Sequence, residues 1–362
     1  MSYISQIQTS VPDYKHHQRD IIAFYQNAID DESTKRKIKI IGEKAAIDTR
    51  YSVLDDFSKT ENDFSFFPKN RFLIPEPTLN QRMAVFKNHA LDLSLKTIKK
   101  LNGFETLKET ITHIITVTCT GLYAPGLDIE IIRELGLNSS IHRTSINFMG
   151  CNAAILALKQ ADLICKNTFN SSVLIVCTEL STLHFQTDFS DDYLLSTSLF
   201  GDGCAAIIVS SESLYEIDCP KIKIDSFHSS ILHKGKSDMT WNISDKGFIL
   251  NLSSYVSELI SDNIKTMLEA LPIKSSNIHY WAIHPGGKKI IDDFAKVMGL
   301  SKEDLKASYT ILRNYGNMSS PTVLFVLKEL ISSTRYNKPD ESILTAAFGP
   351  GLSIETMLLR YV

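Results

Sequence analysis

Two regions of the chain show the same order of helix signals. One predicted helix ends at Gly136-Leu137 and another at Gly299-Leu300, 163 residues later. An apolar helix then follows Gly150 (GCNAAILAL) and, 166 residues later, Gly316 (GNMSSPTVLFVL). Because the two offsets are nearly equal, we predict a duplication: two related βαβ-type halves pack together, and each sends one helix into the middle. A coincidence between unrelated α/β stretches is the alternative.

The pattern between these signals predicts the fold class. From about residue 110 onward, β-branched runs alternate with helical periodicity, which is typical of crossover units and a layered α/β fold. The 362 residues suffice for one large or two modest domains, and we predict an N-terminal half over 1–220 and a C-terminal half over 221–362. Predicted strands cover 113–119, 141–148, 173–177, 204–209, 278–283, 342–348 and 354–359, and predicted helices cover 20–28, 80–101, 127–135, 152–165, 289–298 and 319–333.

Charge and hydropathy exclude several classes of function. The chain carries 38 Lys and Arg against 41 Asp and Glu, so no basic field is expected to bind nucleic acid. No apolar run approaches the roughly 18 residues of a membrane-spanning helix. The first twenty residues lack the basic and then apolar pattern of a secretion signal. We therefore expect a cytoplasmic protein that binds neither nucleic acid nor membranes.

The six cysteines, among them Cys219, stand singly, and no two have CxxC spacing. We therefore expect reduced thiols, mostly small core residues, and no metal site. Cys151 differs because it stands between a predicted strand and the first turn of an apolar helix. A thiol in that place faces the positive end of the helix dipole, which favours the nucleophilic thiolate. Simple packing of Cys151 is the alternative.

Two residues of the second half also stand at the ends of predicted elements. His284 ends a strand and precedes Pro285-Gly286-Gly287, a place where α/β proteins carry functional groups. An imidazole there could exchange a proton with a thiol. Asn317 precedes a predicted helix, and its amide could donate a hydrogen bond to a developing oxyanion. A structural role in a turn or cap is the alternative for each residue.

Five segments together carry a resemblance to a known family. They are NFMGCNAA (147–154), LFGDGCAAIIV (199–209), WAIHPGGKKIID (281–292), RNYGNMSSPTVLFVLKEL (313–330) and AAFGPGLSIETMLL (346–359). In this order they resemble the type III polyketide synthases, the chalcone synthase-like family of the thiolase fold. The resemblance extends from about residue 110 to the C-terminus. It implies a homodimer whose subunits have a layered αβαβα architecture.

The resemblance also implies the chemistry. Cys151 would take an acyl group from a coenzyme A (CoA) thioester, and an imidazolium at His284 would keep Cys151 ionised. His284 and Asn317 would then donate hydrogen bonds to the thioester carbonyl of malonyl-CoA, which stabilises the enolate formed by decarboxylation. The enolate would attack the acyl group on Cys151. The scheme needs acyl-CoA and malonyl-CoA as substrates and no cofactor.

Other matched positions concern the substrate pocket. Phe200, in LFGDG, aligns with the gatekeeping aromatic residue between the CoA tunnel and the cavity, although an ordinary core phenylalanine is the alternative. The resemblance implies that His184, Trp241 and Leu250 line the cavity as well. A bulky Trp241 would shorten one side of the cavity, and Leu250 would open another.

The basic segment KRKIKIIGEK (35–44) matches a CoA-binding region of the family. Lys37 and Lys44 are therefore expected to contact the CoA phosphates. Ile40 stands where family members often carry an arginine, so this part of the match is incomplete. A solvated helix face is the alternative.

We thus predict a type III polyketide synthase that extends an acyl-CoA starter with malonyl-CoA and then releases or cyclises the product. A fatty-acyl starter and alkylpyrone or alkylresorcinol products are the specific hypothesis. One alternative is a ketosynthase III-like enzyme that makes a single condensation, with an acyl carrier protein as a possible partner. The other is a non-catalytic, acyl-binding scaffold with the same fold.

Overall fold

The computed structural model describes residues 1–211, 222–333 and 338–362. The predicted boundary between the halves and Cys219 lie outside these residues. The strands are β1 (Tyr3–Ser10), β2 (Tyr14–His17), β3 (Thr49–Ser52), β4 (His113–Thr118), β5 (His142–Asn147), β6 (Ser172–Leu180), β7 (Asp202–Ser210), β8 (Ile222–Ile231), β9 (Met239–Ile243), β10 (Phe248–Leu252), β11 (Tyr280–Ile283), β12 (Ser342–Gly349) and β13 (Ser353–Tyr361).

The α-helices connect these strands and cover their faces. They are α1 (Gln18–Asn27), α2 (Glu32–Lys44), α3 (Leu79–Ile98), α4 (Phe104–Leu107), α5 (Leu127–Leu135), α6 (Ala153–Asn167), α7 (Asp191–Thr197), α8 (Val256–Glu269), α9 (Lys288–Met298), α10 (Lys306–Tyr315) and α11 (Thr322–Ser333). Of the helices in the described residues, none is long and apolar enough to cross a membrane.

Nine strands form one continuous sheet in the order β11-β12-β13-β8-β1-β7-β6-β4-β5. The two halves of this sheet share one pattern. In the first half, β4 pairs in parallel with β6, and β6 pairs antiparallel with β7. In the second half, β11 pairs in parallel with β12, and β12 pairs antiparallel with β13. The repeated pairing has the form expected of a duplicated chain.

Three clusters of buried apolar side chains define the layers. The central cluster packs α6 and α11 between inward-facing residues of both half-sheets. A second cluster packs α1, α3 and α5 on the outer face of the first half-sheet. A third packs α8 and α9 on the outer face of the second half-sheet. The result is the predicted αβαβα layering, in which α6 and α11 are apolar because sheets cover them on both sides.

The two Gly-Leu helix ends have the backbone geometry that the sequence predicts. Gly136 ends α5 with φ = 63°, and Gly299 ends α9 with φ = 67°. Both values lie in the left-handed region, where glycine has no Cβ to clash. The elements that position the site therefore end in the same way in both halves.

Candidate active site

Cys151, His284 and Asn317 line one cavity, with about 590 Å³ of empty space, between the two halves. Cys151 lies between β5 and α6, His284 directly follows β11, and Asn317 lies between α10 and α11. The first half therefore supplies the thiol, and the second half supplies the imidazole and the amide.

The turn before α6 places the thiol in the cavity. Gly150 has φ = 86°, and a Cβ there would approach Cδ of Pro350 to 2.1 Å, so this position requires glycine. Pro350 belongs to the turn between β12 and β13 and also lines the cavity. The Gly-Pro-Gly turn thus packs directly against the residue that precedes Cys151.

Hydrogen bonds fix the orientation of the Asn317 amide. Its Oδ1 accepts a hydrogen bond from the backbone N–H of Ser319 at 2.8 Å. Its Nδ2 lies 3.4 Å from the carbonyl oxygen of Gly286, and Sγ of Cys151 lies 4.0 Å from both Nδ2 and Oδ1. The amide therefore presents a donor to the space beside the thiol.

His284 contributes an imidazole whose ring nitrogens are unpaired. The residue is 1% exposed, and neither Nδ1 nor Nε2 has a hydrogen-bond partner among the residues that the structure describes. Its backbone is held by a hydrogen bond from its N–H to the carbonyl oxygen of Ala346 at 2.8 Å. Buried polar groups in proteins are almost always paired. Both nitrogens are therefore available to a polar group that enters the cavity.

Burial works against the expected ion pair between a Cys151 thiolate and a His284 imidazolium. Burial raises the pKa of Cys151 to about 11, and the negative charge of Glu179 acts in the same direction. Burial lowers the pKa of His284 to about 3. Desolvation disfavours both charged forms, whereas hydrogen bonds from Ser319 and Asn317 lower the pKa of Cys151. No hydrogen bond joins the two side chains among the described residues, and the ion pair stays a prediction.

Glu179, at the end of β6, is a buried residue of the site that the sequence reasoning missed. Its carboxylate accepts hydrogen bonds from the N–H of Cys119 and Oγ1 of Thr120, both at 2.8 Å, and from Oγ of Ser320 at 2.6 Å. Burial raises its pKa to about 7. The signal in the sequence was a single acidic residue in the otherwise uncharged run SVLIVCTEL.

Three of the four predicted pocket residues line the catalytic cavity. Phe200, Trp241 and Leu250 do so, and Trp241 and Leu250 are paired across the β9–β10 hairpin. The indole Nε1 of Trp241 donates to the carbonyl oxygen of Cys119 at 2.7 Å. This bond holds the ring at the cavity wall.

His184 lines a neighbouring cavity, which shares Ser181, Phe200, Trp241 and Leu250 with the catalytic one. Its Nε2 lies 2.8 Å from the carbonyl oxygen of Thr120, and its Nδ1 accepts from the N–H of Phe248 at 3.1 Å. Nε2 must therefore carry the proton. Both ring nitrogens are thus bonded within the protein, and the substrate-binding role of His184 stays a prediction.

The two lysines predicted to contact CoA have different surroundings. Lys44 lines a second cavity, with about 930 Å³ of empty space, that shares Leu252, Gly286 and Ile290 with the catalytic cavity. Lys37 does not line it, and its Nζ lies 2.5 Å from Oδ1 of Asp191. Two lysines that the sequence reasoning missed, Lys288 and Lys289 at the start of α9, line the second cavity as well.

No group of three or more His, Cys, Asp or Glu side chains among residues 1–211, 222–333 and 338–362 is arranged to hold a metal ion. The expectation that the reaction needs no cofactor stays a prediction.

Comparison with known proteins gives consistent results over almost the whole chain. A family model for the N-terminal domain of chalcone and stilbene synthases matches residues 2–213, and the model for the C-terminal domain matches residues 223–362. The protein named "Alpha-pyrone synthesis polyketide synthase-like Pks18" from Mycobacterium tuberculosis is 31% identical over 340 residues, which are 92% of this chain and 84% of that protein.

Solved structures with the same fold cover the full chain. PKS-I from the brown alga Ectocarpus siliculosus superposes with a TM-score of 0.88 at 28% identity and covers 100% of this chain and 98% of its own. The C-terminal type III polyketide synthase domain of Steely1 from Dictyostelium also gives 0.88, at 29% identity, with 100% and 99% coverage. These likenesses confirm the predicted thiolase-like fold.

Proposed function

Because this chain belongs to the chalcone and stilbene synthase family and is a type III polyketide synthase, we propose that Cys151, His284 and Asn317 carry out its reaction. One observation carries this proposal. The Nδ2 donor of Asn317 and the unpaired nitrogens of His284 line the same cavity as the Cys151 thiol. A thioester carbonyl in that cavity would meet a nucleophile and two hydrogen-bond donors.

In the loading step, the proton on Sγ of Cys151 passes to a ring nitrogen of His284. The net charge of the site does not change, so this transfer is less costly in a buried cavity than release of the proton to solvent. Since no hydrogen bond joins Cys151 and His284 without substrate, Sγ and the ring nitrogen must come closer when substrate binds, as is common for catalytic groups. The thiolate then attacks the acyl-CoA carbonyl. CoA leaves with the proton from His284, and an acyl thioester remains on Cys151.

In the extension step, malonyl-CoA places its thioester oxygen against Asn317 and His284. The bond to the carboxylate breaks, carbon dioxide leaves, and the electron pair moves onto the thioester oxygen as an enolate. Donors already in place stabilise this charge as it develops. The enolate carbon attacks the acyl group, the C–S bond to Cys151 breaks, and the released thiolate takes up a proton.

The apolar wall supports a role for Phe200 and a class of starter. The ring of Phe200 is part of the cavity wall, where it would disfavour a malonyl carboxylate and so assist its loss. Aliphatic and aromatic side chains such as Leu250, Leu252 and Phe348 line the same cavity. We therefore propose a fatty-acyl-CoA starter. Alkylpyrone products fit the printed name of the mycobacterial relative.

The test is incubation of the protein with malonyl-CoA and a panel of aliphatic and aromatic acyl-CoA starters, followed by mass spectrometry of the products. We expect extension of aliphatic starters. Extension of aromatic starters alone would contradict the starter proposal. Cys151→Ala should abolish condensation but retain decarboxylation of malonyl-CoA, because the donors at His284 and Asn317 remain.

The second cavity provides a path for the CoA arm. It adjoins the catalytic cavity through Leu252, Gly286 and Ile290, and Lys44 and Lys289 line it. A pantetheine arm suits the apolar part of this cavity, and ammonium groups suit the phosphates. We therefore assign Lys44, and not the ion-paired Lys37, to CoA binding.

The edge of the sheet supports a homodimer. β5 is the last strand in the order, and the strand that it pairs with in the described residues is β4. Met149, just after β5, is 47% exposed. An unpaired edge beside an exposed apolar residue is a surface that proteins usually cover. Light scattering should give twice the chain mass at micromolar concentration, and a monomer would contradict this proposal.

A further inference from the structure

A buried arginine outside the catalytic cavity contacts residues 197–201. This segment carries Phe200 and pairs with the backbone of Asn317. Arg50 lies in β3 and is 2% exposed. It does not line the catalytic cavity or the neighbouring cavities. Burial of a cation is costly unless strong hydrogen bonds compensate. The hydrogen-bond partners of this guanidinium therefore indicate the role of Arg50.

The partners lie in and beside residues 197–201. Nη1 of Arg50 donates to the carbonyl oxygens of Thr197 at 2.7 Å and Phe200 at 2.6 Å. Nε donates to Oε1 of Gln18 at 2.9 Å, and Nε2 of Gln18 donates to the carbonyl oxygen of Ser198 at 2.9 Å. Arg50 and Gln18 thus hold three carbonyl groups of the segment that carries Phe200.

The same segment pairs with the backbone of Asn317. The N–H of Asn317 donates to the carbonyl oxygen of Leu199, and the N–H of Gly201 donates to the carbonyl oxygen of Asn317, both at 2.9 Å. These bonds form an isolated parallel bridge between Phe200 and Asn317. A displacement of residues 197–201 therefore moves the gatekeeping ring and the amide donor together.

The aliphatic part of Arg50 contacts the other side of this bridge. Gly316 has φ = 69°, and a Cβ there would lie 3.0 Å from Cγ of Arg50 and 2.5 Å from the carbonyl oxygen of Leu199. The arginine stem therefore packs directly on the residue before Asn317. The guanidinium of Arg50 therefore bonds to the segment that carries Phe200, and its aliphatic carbons pack against the residue before Asn317.

We propose that Arg50 is a positioning residue that fixes Phe200 and Asn317 relative to Cys151. The proposal rests on the proposed function, since it concerns the residues assigned to decarboxylation. It acts on the extension step, because Asn317 and Phe200 serve malonyl-CoA. Loading of Cys151 depends on His284, whose backbone is held by β12 and not by residues 197–201.

The test compares Arg50→Lys and Arg50→Met with the wild type, with Arg19→Met as the matched control because the Arg19 side chain is 81% exposed. Acyl loading is measured by rapid quench and intact-protein mass spectrometry, and kcat and KM are measured for complete extension. We expect loading of a full equivalent and a KM for the starter close to the wild type. The kcat for extension should fall about 10- to 100-fold, the effect of a misplacement of about 1 Å.

The outcomes are separable. If Arg50 is merely structural, loading and extension fall in proportion as the folded fraction falls, and the proposal is overturned. It is also overturned if both Arg50 variants extend at the wild-type rate. If Arg50→Met does not fold, Gln18→Met gives the second measurement, with a smaller loss of kcat expected because it removes one of the bonds to Arg50. A wild-type protein that loads acyl groups but never extends them contradicts the proposed function instead.

Discussion

Replacement of Asn317 by aspartate tests the donor role of the amide with a change of one group. The Oδ1 position still accepts the hydrogen bond from the N–H of Ser319, which is 2.8 Å away in the wild type. The Nδ2 donor becomes an oxygen 4.0 Å from Sγ of Cys151 and 3.4 Å from the carbonyl oxygen of Gly286. The turn before α11 should therefore form, while the donor facing the cavity is lost.

The expected loss follows from these distances. Removal of one donor to an oxyanion typically costs about 100- to 1000-fold in kcat, or about 3–4 kcal/mol. The carboxylate that Asn317→Asp introduces would, when ionised, also repel a thiolate on Cys151 at 4.0 Å. At an effective dielectric constant of about 20, that repulsion is about 4 kcal/mol. Decarboxylation should therefore fall by at least about 100-fold, and acyl loading should slow as well.

Asn317→Leu is the matched variant, because it removes the donor without adding a charge. It also leaves the N–H of Ser319 without its acceptor, which costs about 1–3 kcal/mol of folding free energy. The assay measures release of carbon dioxide from malonyl-CoA in the Cys151→Ala background, together with thermal unfolding. We expect both variants to lose decarboxylation and the leucine variant alone to lose stability. Near-wild-type decarboxylation in folded Asn317→Asp would refute the donor role.

Three further predictions concern other parts of the site. Lys44→Gln should raise KM for malonyl-CoA several-fold in steady-state assays, whereas Lys37→Gln should not; equal effects would contradict the assigned path of CoA. Trp241→Ala should allow longer acyl starters to be extended, because it removes the indole from the wall shared by two cavities; an unchanged limit in the product mass spectra would contradict this. Because burial raises the pKa of Glu179 from 4.5 to about 7, the folded protein retains a proton that the unfolded chain releases, so the free energy of unfolding should fall as pH rises between those values. Glu179→Gln should flatten that dependence in urea titrations and shift alkylation of Cys151 by iodoacetamide to lower pH.

The sequence predicted elements whose signals are local. Residues 127–135 form a helix as expected, since an amphipathic run ends there at a glycine that adopts the left-handed C-cap. The prediction of 319–333 began three residues early, because Ser319 adopts φ = 60° and the helix begins at Thr322. The β9–β10 hairpin and α8 were missed, although the predicted pocket residues Trp241 and Leu250 belong to that hairpin.

The features that escaped prediction depend on partners distant in sequence. Arg50 bonds to carbonyl groups about 150 residues away, and the carboxylate of Glu179 binds Ser320 from the other half. His184 matched a pocket position by resemblance, but its ring nitrogens bond to the backbone of Thr120 and Phe248. Periodicity and capping signals carry no information about such contacts. The effect of burial on the pKa values of Cys151 and His284 escaped prediction for a related reason, since burial is a property of the packed molecule.

The layered core also has an electrostatic consequence. α6 begins two residues after Cys151, and α11 begins five residues after Asn317, so the amino ends of two long buried helices meet at the same cavity. Each such end is equivalent to about half a positive charge. An anionic oxygen held between them experiences nearly the field of a cation, although no lysine, arginine or metal ion has to enter the apolar interior.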